Sequence, residues 1–302
     1  MHEGSRKAII AAFLANLGIA IAKFIGFFFT GSAGMLAEAV HSVADTGNQA
    51  LLFLGGNRAR KSATAEHPFG YGRERYFWAF VVAVVLFTLG GAFAIYEGVE
   101  KLRHPHEPES LWWAVGILAF AIVLESLSFR TARREAESER QGARWMAFIR
   151  RSKSPELPVV LLEDTGALIG LVFALVGVVL VKITHNARFD AVGSLAIGLL
   201  LCTIAIVLAV EMKGLLIGES ATPEDEAKIA SAITTSPNVL GIIHLRTEHL
   251  GPEELLMGAK VEFSHSLTLP QLADAIDEVE RRVRAALPAT RVIYIEPDIR
   301  RE

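Results

Sequence analysis

Six stretches of about 20 apolar residues, at 9–29, 33–55, 76–96, 111–129, 157–181 and 191–210, constrain this chain more than any other feature. Twenty helical residues cover about 30 Å, the thickness of a bilayer's hydrocarbon core. A backbone placed there must satisfy its own hydrogen bonds, which a helix does within one segment. With 52% hydrophobic residues in clusters across 302 residues, the sequence predicts a polytopic α-helical membrane protein of six transmembrane helices. Lys and Arg crowd the second and fourth loops, five and eight of them, against none, two and two in the first, third and fifth. The positive-inside rule then puts both termini and the large loops in the cytoplasm. The stretch after Met1–Lys7 shows no small-residue cleavage pattern and reads as a retained helix. A formal net charge of −3 argues against nucleic acid as a partner, and the one cysteine, Cys202, in an apolar run, leaves neither a disulfide nor a thiolate metal site.

Within the second stretch stand His41 and Asp45. Four residues on a helix is about 400° of rotation, so both side chains leave one face, one turn apart. An imidazole and a carboxylate so placed are ligands for a borderline divalent cation such as Zn²⁺. Ionisable groups at mid-depth cost at least a few kcal/mol each, which makes function the default explanation. Asn48 lies one turn beyond Asp45, and Glu163 and Asp164 lie near the start of the fifth stretch. Interhelical polar contact without metal is the competing reading. Asn16 and Lys23 share a face of the first stretch, with Lys23 placed either to snorkel or to sit against neighbours. The third stretch reads as uninterrupted. Glu125, near the end of the fourth, reads as solvated or salt-bridged, and Gly166 and Gly170 as a close-packing step.

From residue 213 the character changes, so the chain divides into a membrane domain, 1–212, and a small domain, 213–302. A helix over 223–235 follows Thr222 as N-cap, with Glu224, Asp225 and Glu226 in its first turn. Residues 239–248 and 255–263 read as strands around Gly251-Pro252, 269–287 as an amphipathic helix and 291–295 as a last strand. The order implies a small α+β domain. About 80 residues is marginal for independent stability, so pairing with a second copy is expected.

Taken in order, several segments resemble the cation diffusion facilitators: His41 to Gln49, His67-Pro68-Phe69-Gly70-Tyr71-Gly72-Arg73, Asp164, Asp190-Ala191-Val192-Gly193-Ser194, and the terminal domain ending at Glu296-Pro297. The resemblance implies a homodimeric exporter of Zn²⁺ or a similar ion, driven by proton antiport, with a ferredoxin-like cytoplasmic domain. It also implies no resident cofactor, the metal being cargo, and a bacterial inner membrane is the expected location. Family members place two ligands four apart on the second helix and two on the fifth. Here His41, Asp45 and Asp164 fill three of those places and Val160 stands in the fourth. The missing ligand is then Glu163 or Asn48, and the Leu162-Glu163-Asp164 triplet resembles the branch that includes mitochondrial zinc transporters. Where many members carry histidines in the cytoplasmic domain, the aligned positions are Lys260, Ala273 and Tyr294, and Tyr71 replaces a loop histidine. A set of one imidazole and several oxygens leaves Mn²⁺, Fe²⁺ and Co²⁺ open beside Zn²⁺. A membrane metalloenzyme would want a His-Glu-x-x-His motif or an activated nucleophile, and neither is present, so no enzyme is expected. A membrane-anchored sensor without transport is the remaining alternative.

Overall fold

The computed structural model describes residues 3–30, 33–105, 111–140 and 142–301, with side chains at 9–25, 28, 42, 43, 45–105, 112, 115–140 and 142–301. They form two compact units, Met1–Asn57 with Arg75–Lys213, and Arg58–Glu74 with Gly214–Glu302.

The first unit is helical: α1 (Glu3–Thr30), α2 (Ala33–Arg58), α3 (Glu74–Val85), a π-helical stretch (Leu86–Ala92), α4 (Phe93–Arg103), α5 (Leu111–Arg140), α6 (Trp145–Arg151), α7 (Glu156–Thr184) and α8 (Arg188–Ile217). Among the described residues, Glu74–Arg103, Val115–Arg140, Glu156–Thr184 and Arg188–Ile217 are long and apolar enough to cross a membrane. Helices α1 and α2, of 28 and 26 residues, are about 40 Å long, and Ile9–Ile25 within α1 is a shorter apolar helix. Large apolar side chains point outward, among them Leu14, Phe28, Val123 and Leu199, as lipid-facing surfaces require. Helices α1, α5 and α7 pack against one another, and α8 backs α7. Gly166 has the packing role expected of it, since a Cβ there would lie 2.7 Å from Ile204 Cδ1 on α8.

The third span is one apolar run, Glu74–Arg103, as expected, but not α-helical throughout. Its seven-residue π-helical stretch carries Gly90-Gly91, which hold a helix weakly, and Thr88 Oγ1 donates back to the carbonyls of Val84 at 2.9 Å and Val85 at 3.3 Å. The widened turn brings Gly91 against α8, where a Cβ would sit 2.9 Å from the amide nitrogen of Cys202. Of the two placements open to Lys23, it takes the one against neighbours. It is buried and donates from Nζ to Ser42 Oγ at 2.9 Å.

In the second unit the expected order of helix, strand, strand, helix, strand appears as α9 (Pro223–Thr234), β1 (Val239–Gly251), β2 (Glu254–Phe263), α10 (Leu269–Ala286) and β3 (Thr290–Pro297). The sheet order is β1-β2-β3, antiparallel between β1 and β2 and parallel between β2 and β3. Thr222 caps α9 by accepting from the Asp225 amide, and Ile229, Ile233, Met257, Val261, Val279 and Val283 meet in the core. The 58–74 segment packs on the β1–β2 hairpin. Gly72 comes so close that a Cβ would lie 2.6 Å from the Leu250 carbonyl, and Arg73 pairs with Glu248.

Where α3 and α7 begin, Arg75 and Glu156 form a bidentate ion pair, both buried, with Arg75 Nη2 donating to Glu156 Oε2 at 2.8 Å. Removing one partner of such a pair costs about 3–5 kcal/mol because the other charge is left buried. Arg75→Ala is therefore expected to lower the thermal unfolding midpoint of the detergent-solubilised chain, and Arg75→Met with Glu156→Met to recover most of the loss.

Candidate metal centre

Helices α2 and α7 meet at Asn48, Gln49 and Glu163. Asn48 and Gln49 are about 15 Å from the end of α2, and Glu163 and Asp164 about 10 Å from the start of α7. The sequence places His41 and Asp45 one turn apart on α2, with Asn48 and Gln49 together one turn further on. Against Asn48 and Gln49 comes Glu163, 5% exposed, whose two carboxylate oxygens are each taken by an amide. Asn48 Nδ2 donates to Oε1 at 2.9 Å and Gln49 Nε2 donates to Oε2.

Asp164, one residue on, is fully buried and turns toward α5, where Ser128 Oγ donates to its Oδ2 at 2.8 Å. Its Oδ1 is buried without a hydrogen-bond partner, and so are Asn48 Oδ1 and Gln49 Oε1. Three acceptor oxygens on α2 and α7 are thus withdrawn from water and from protein donors. Buried acceptors are nearly always satisfied, so each calls for a proton or a cation. Asp45 is half-buried on α2. The side chain of His41 lies outside the described residues. Among the described residues, no three His, Cys, Asp or Glu side chains stand close enough together to share an ion.

Glu163 and Asn48, the two replacements weighed for the place held by Val160, are bonded to each other here. Glu163 is an acceptor clamped between helices, while Asn48 spends its amide nitrogen on that clamp and keeps its oxygen. Sequence reading missed Gln49 and Ser128. The signal for Gln49 was its position four residues past Asp45 on the same face.

The reading of Glu125 as solvated is corrected. Helix α5 continues to Arg140, so Glu125 lies mid-helix and is 3% exposed, on the same face as Ser128. Among the described residues, the charges that act on it are those of Asp164, Asp45, Glu163 and the cation Lys23.

In the second unit, Lys260 occupies a position where the resemblance implied a metal-binding histidine. Its Nζ lies 3.0 Å from Glu296 and 3.3 Å from Asp298, across the β2–β3 pairing of Lys260 with Glu296. The bonds from Glu296 and then Asp298 hold Lys260 above the usual lysine value. The Ile299 amide first, and Lys260 after it, hold Asp298 below the usual carboxylate range. One ammonium is thus shared between these two carboxylates. Tyr71 stacks on His67 with ring centroids 4.6 Å apart, so the loop position is used for ring packing.

A helical membrane unit with a buried polar centre, joined to a small α+β unit, defines a class of integral membrane protein. The chain belongs to the cation efflux family: residues 9–217 match the cation efflux transmembrane domain, and 221–298 the cation efflux protein cytoplasmic domain. Similar proteins include the mouse (Mus musculus) and human (Homo sapiens) proton-coupled zinc antiporter SLC30A9, mitochondrial, each 33% identical over 86% of this chain and 46% of theirs. Metal tolerance protein C4 of Arabidopsis thaliana is 30% identical over 88% of this chain and 59% of its own. The cation-efflux pump FieF of Escherichia coli O1:K1 / APEC is 25% identical over 96% and 91%. This chain spans about half the length of the SLC30A9 relatives. The solved structure MamM-CTD 215-293 aligns with 26% of this chain and 96% of its own at 19% identity, with a TM-score of 0.24.

Losing one donor to a buried carboxylate costs about 1–3 kcal/mol. Gln49→Leu, which keeps the side chain's bulk, is expected to lower the unfolding midpoint in detergent accordingly. An unchanged midpoint would contradict the Glu163 clamp.

Proposed function

We propose that this chain exports a divalent metal ion, Zn²⁺ first, from the cytoplasm in exchange for protons. The observation that carries the reading is the set of buried acceptor oxygens without partners: Asp164 Oδ1 on α7, and Asn48 Oδ1 and Gln49 Oε1 on α2, the helix that also carries His41 and Asp45. The similar proteins support the same direction, since they include a proton-coupled zinc antiporter and a cation-efflux pump.

In this reading His41, Asp45 and Asp164 are the ionisable ligands, with Asn48 supplying an amide oxygen. Glu163 sits behind Asn48 and fixes the direction in which that oxygen points. A metal takes neutral imidazole and ionised carboxylates, so binding displaces protons and protonation displaces the metal. Imidazole titrates near neutral pH, which makes His41 the natural proton carrier. Exposing the centre alternately to the two sides then exchanges metal against protons. Protonation also removes charge that several carboxylates would otherwise hold in low dielectric with few cations nearby.

The working form is a homodimer in a bacterial inner membrane with both termini cytoplasmic, paired through the small α+β unit. One imidazole with oxygen donors is harder than a two-histidine set, which leaves Mn²⁺, Fe²⁺ and Co²⁺ as competing cargo.

The test is uptake of Zn²⁺, Mn²⁺ and Co²⁺ into proteoliposomes under a pH gradient. Native protein is expected to accumulate Zn²⁺, and Asp45→Ala and Asp164→Ala each to lose at least about tenfold in rate. Uptake surviving both substitutions would remove the metal from this centre. No uptake of any ion by the native chain would favour a sensor.

A further inference from the structure

We propose that a cleft at the polar end of α5 binds the headgroup of an anionic phospholipid. Helix α5 has 30 residues and is about 45 Å long, well over the hydrocarbon thickness, so its last turns stand beyond the apolar layer. Its apolar run ends at Phe129. Arg130, Arg133, Arg134 and Glu137 then share one helical face, roughly opposite the buried face of Glu125, Ser128, Ala132 and Ala136. The first face lines a cleft of about 840 Å³ together with Arg140 and Trp145.

The cleft carries excess positive charge. Arg140 pairs with Glu137 and donates to the Ala143 carbonyl, while its Nε is buried without an acceptor. Among the described residues, Arg130, Arg133 and Arg134 form no ion pair with a carboxylate. The Trp145 ring lies 4.6 Å from the Arg140 guanidinium and 5.9 Å from that of Arg133. A phosphodiester offers what this arrangement lacks, oxygen acceptors that take parallel N–H donors from guanidinium groups.

Two observations favour a lipid over a soluble phosphate. The cleft opens where the apolar run of α5 gives way to charge, the level of lipid headgroups, and a tryptophan at its wall suits that level. Beside Trp145 on the short α6, Met146 is 53% exposed, an apolar side chain placed to meet glycerol or acyl carbons. A zwitterionic choline headgroup would bring a second cation to a wall already rich in arginine. An acidic glycerophospholipid matches both the charge and the interface. The inference rests on the chain spanning a membrane and is independent of which ion it carries.

The experiment uses the full-length chain in phosphatidylcholine nanodiscs with and without phosphatidylglycerol, reading retained lipid by native mass spectrometry and stability by thermal unfolding. Preferential retention of phosphatidylglycerol and a raised unfolding midpoint are expected. Arg133→Gln with Arg134→Gln should weaken that retention by about thirtyfold. Arg150→Gln with Arg151→Gln removes the same charge outside the cleft and should leave retention unchanged. Equal loss in both double variants, no preference over phosphatidylcholine, or the same stabilisation by inorganic phosphate without acidic lipid would each overturn the proposal.

Discussion

The membrane unit depends on one constraint: a carboxylate withdrawn from water must be given donors or a cation. Glu163 meets it with two amides from α2, and this clamp ties α2 to α7 at the level where the candidate centre lies. Asp164 meets it by half, through Ser128 on α5. Glu156 meets it through Arg75, and Lys23 meets the mirror requirement through Ser42. Each polar contact joins a different pair of helices. In lipid, where apolar burial between helices gains little, such contacts and close packing at small residues hold the bundle together.

The same constraint connects stability to transport. A centre with every oxygen satisfied would be inert toward a metal, and a centre with every oxygen bare would be too costly to fold. Here the second carboxylate oxygen of Asp164 and the amide oxygens of Asn48 and Gln49 are left over while the groups carrying them are anchored. Anchoring sets direction, and in the proposed function the leftover oxygens are the ones that would meet a cation. Helix α5 reaches from this centre, through Ser128, to the arginine-lined cleft at its polar end.

Much of this was legible in the sequence. Apolar runs gave the helical membrane unit, because hydrocarbon thickness leaves few alternatives. Strand and helix order in the small unit followed from alternation and from Thr222. Asp45 and Asp164 were visible as carboxylates in apolar segments. The π-helical stretch was not legible, since it reflects where Gly91 meets Cys202 on α8, a tertiary contact. The length of α5 was hidden by its arginines, which read as loop, and that error made Glu125 look solvated. Gln49 was passed over because its donor role exists only when Glu163 arrives from a helix more than a hundred residues away. Lys260 was recognised as a departure from the family pattern, but its carboxylate partners emerge only from strand pairing.

The most direct measurement is X-ray absorption at the zinc edge on the metal-loaded, full-length chain, beside Asp164→Asn and Asp45→Asn. A centre on α2 and α7 predicts a first shell of oxygens and one imidazole nitrogen at about 2.0–2.2 Å, altered in both variants. A shell unchanged by either substitution would place the ion elsewhere and contradict the assignment of these helices to transport.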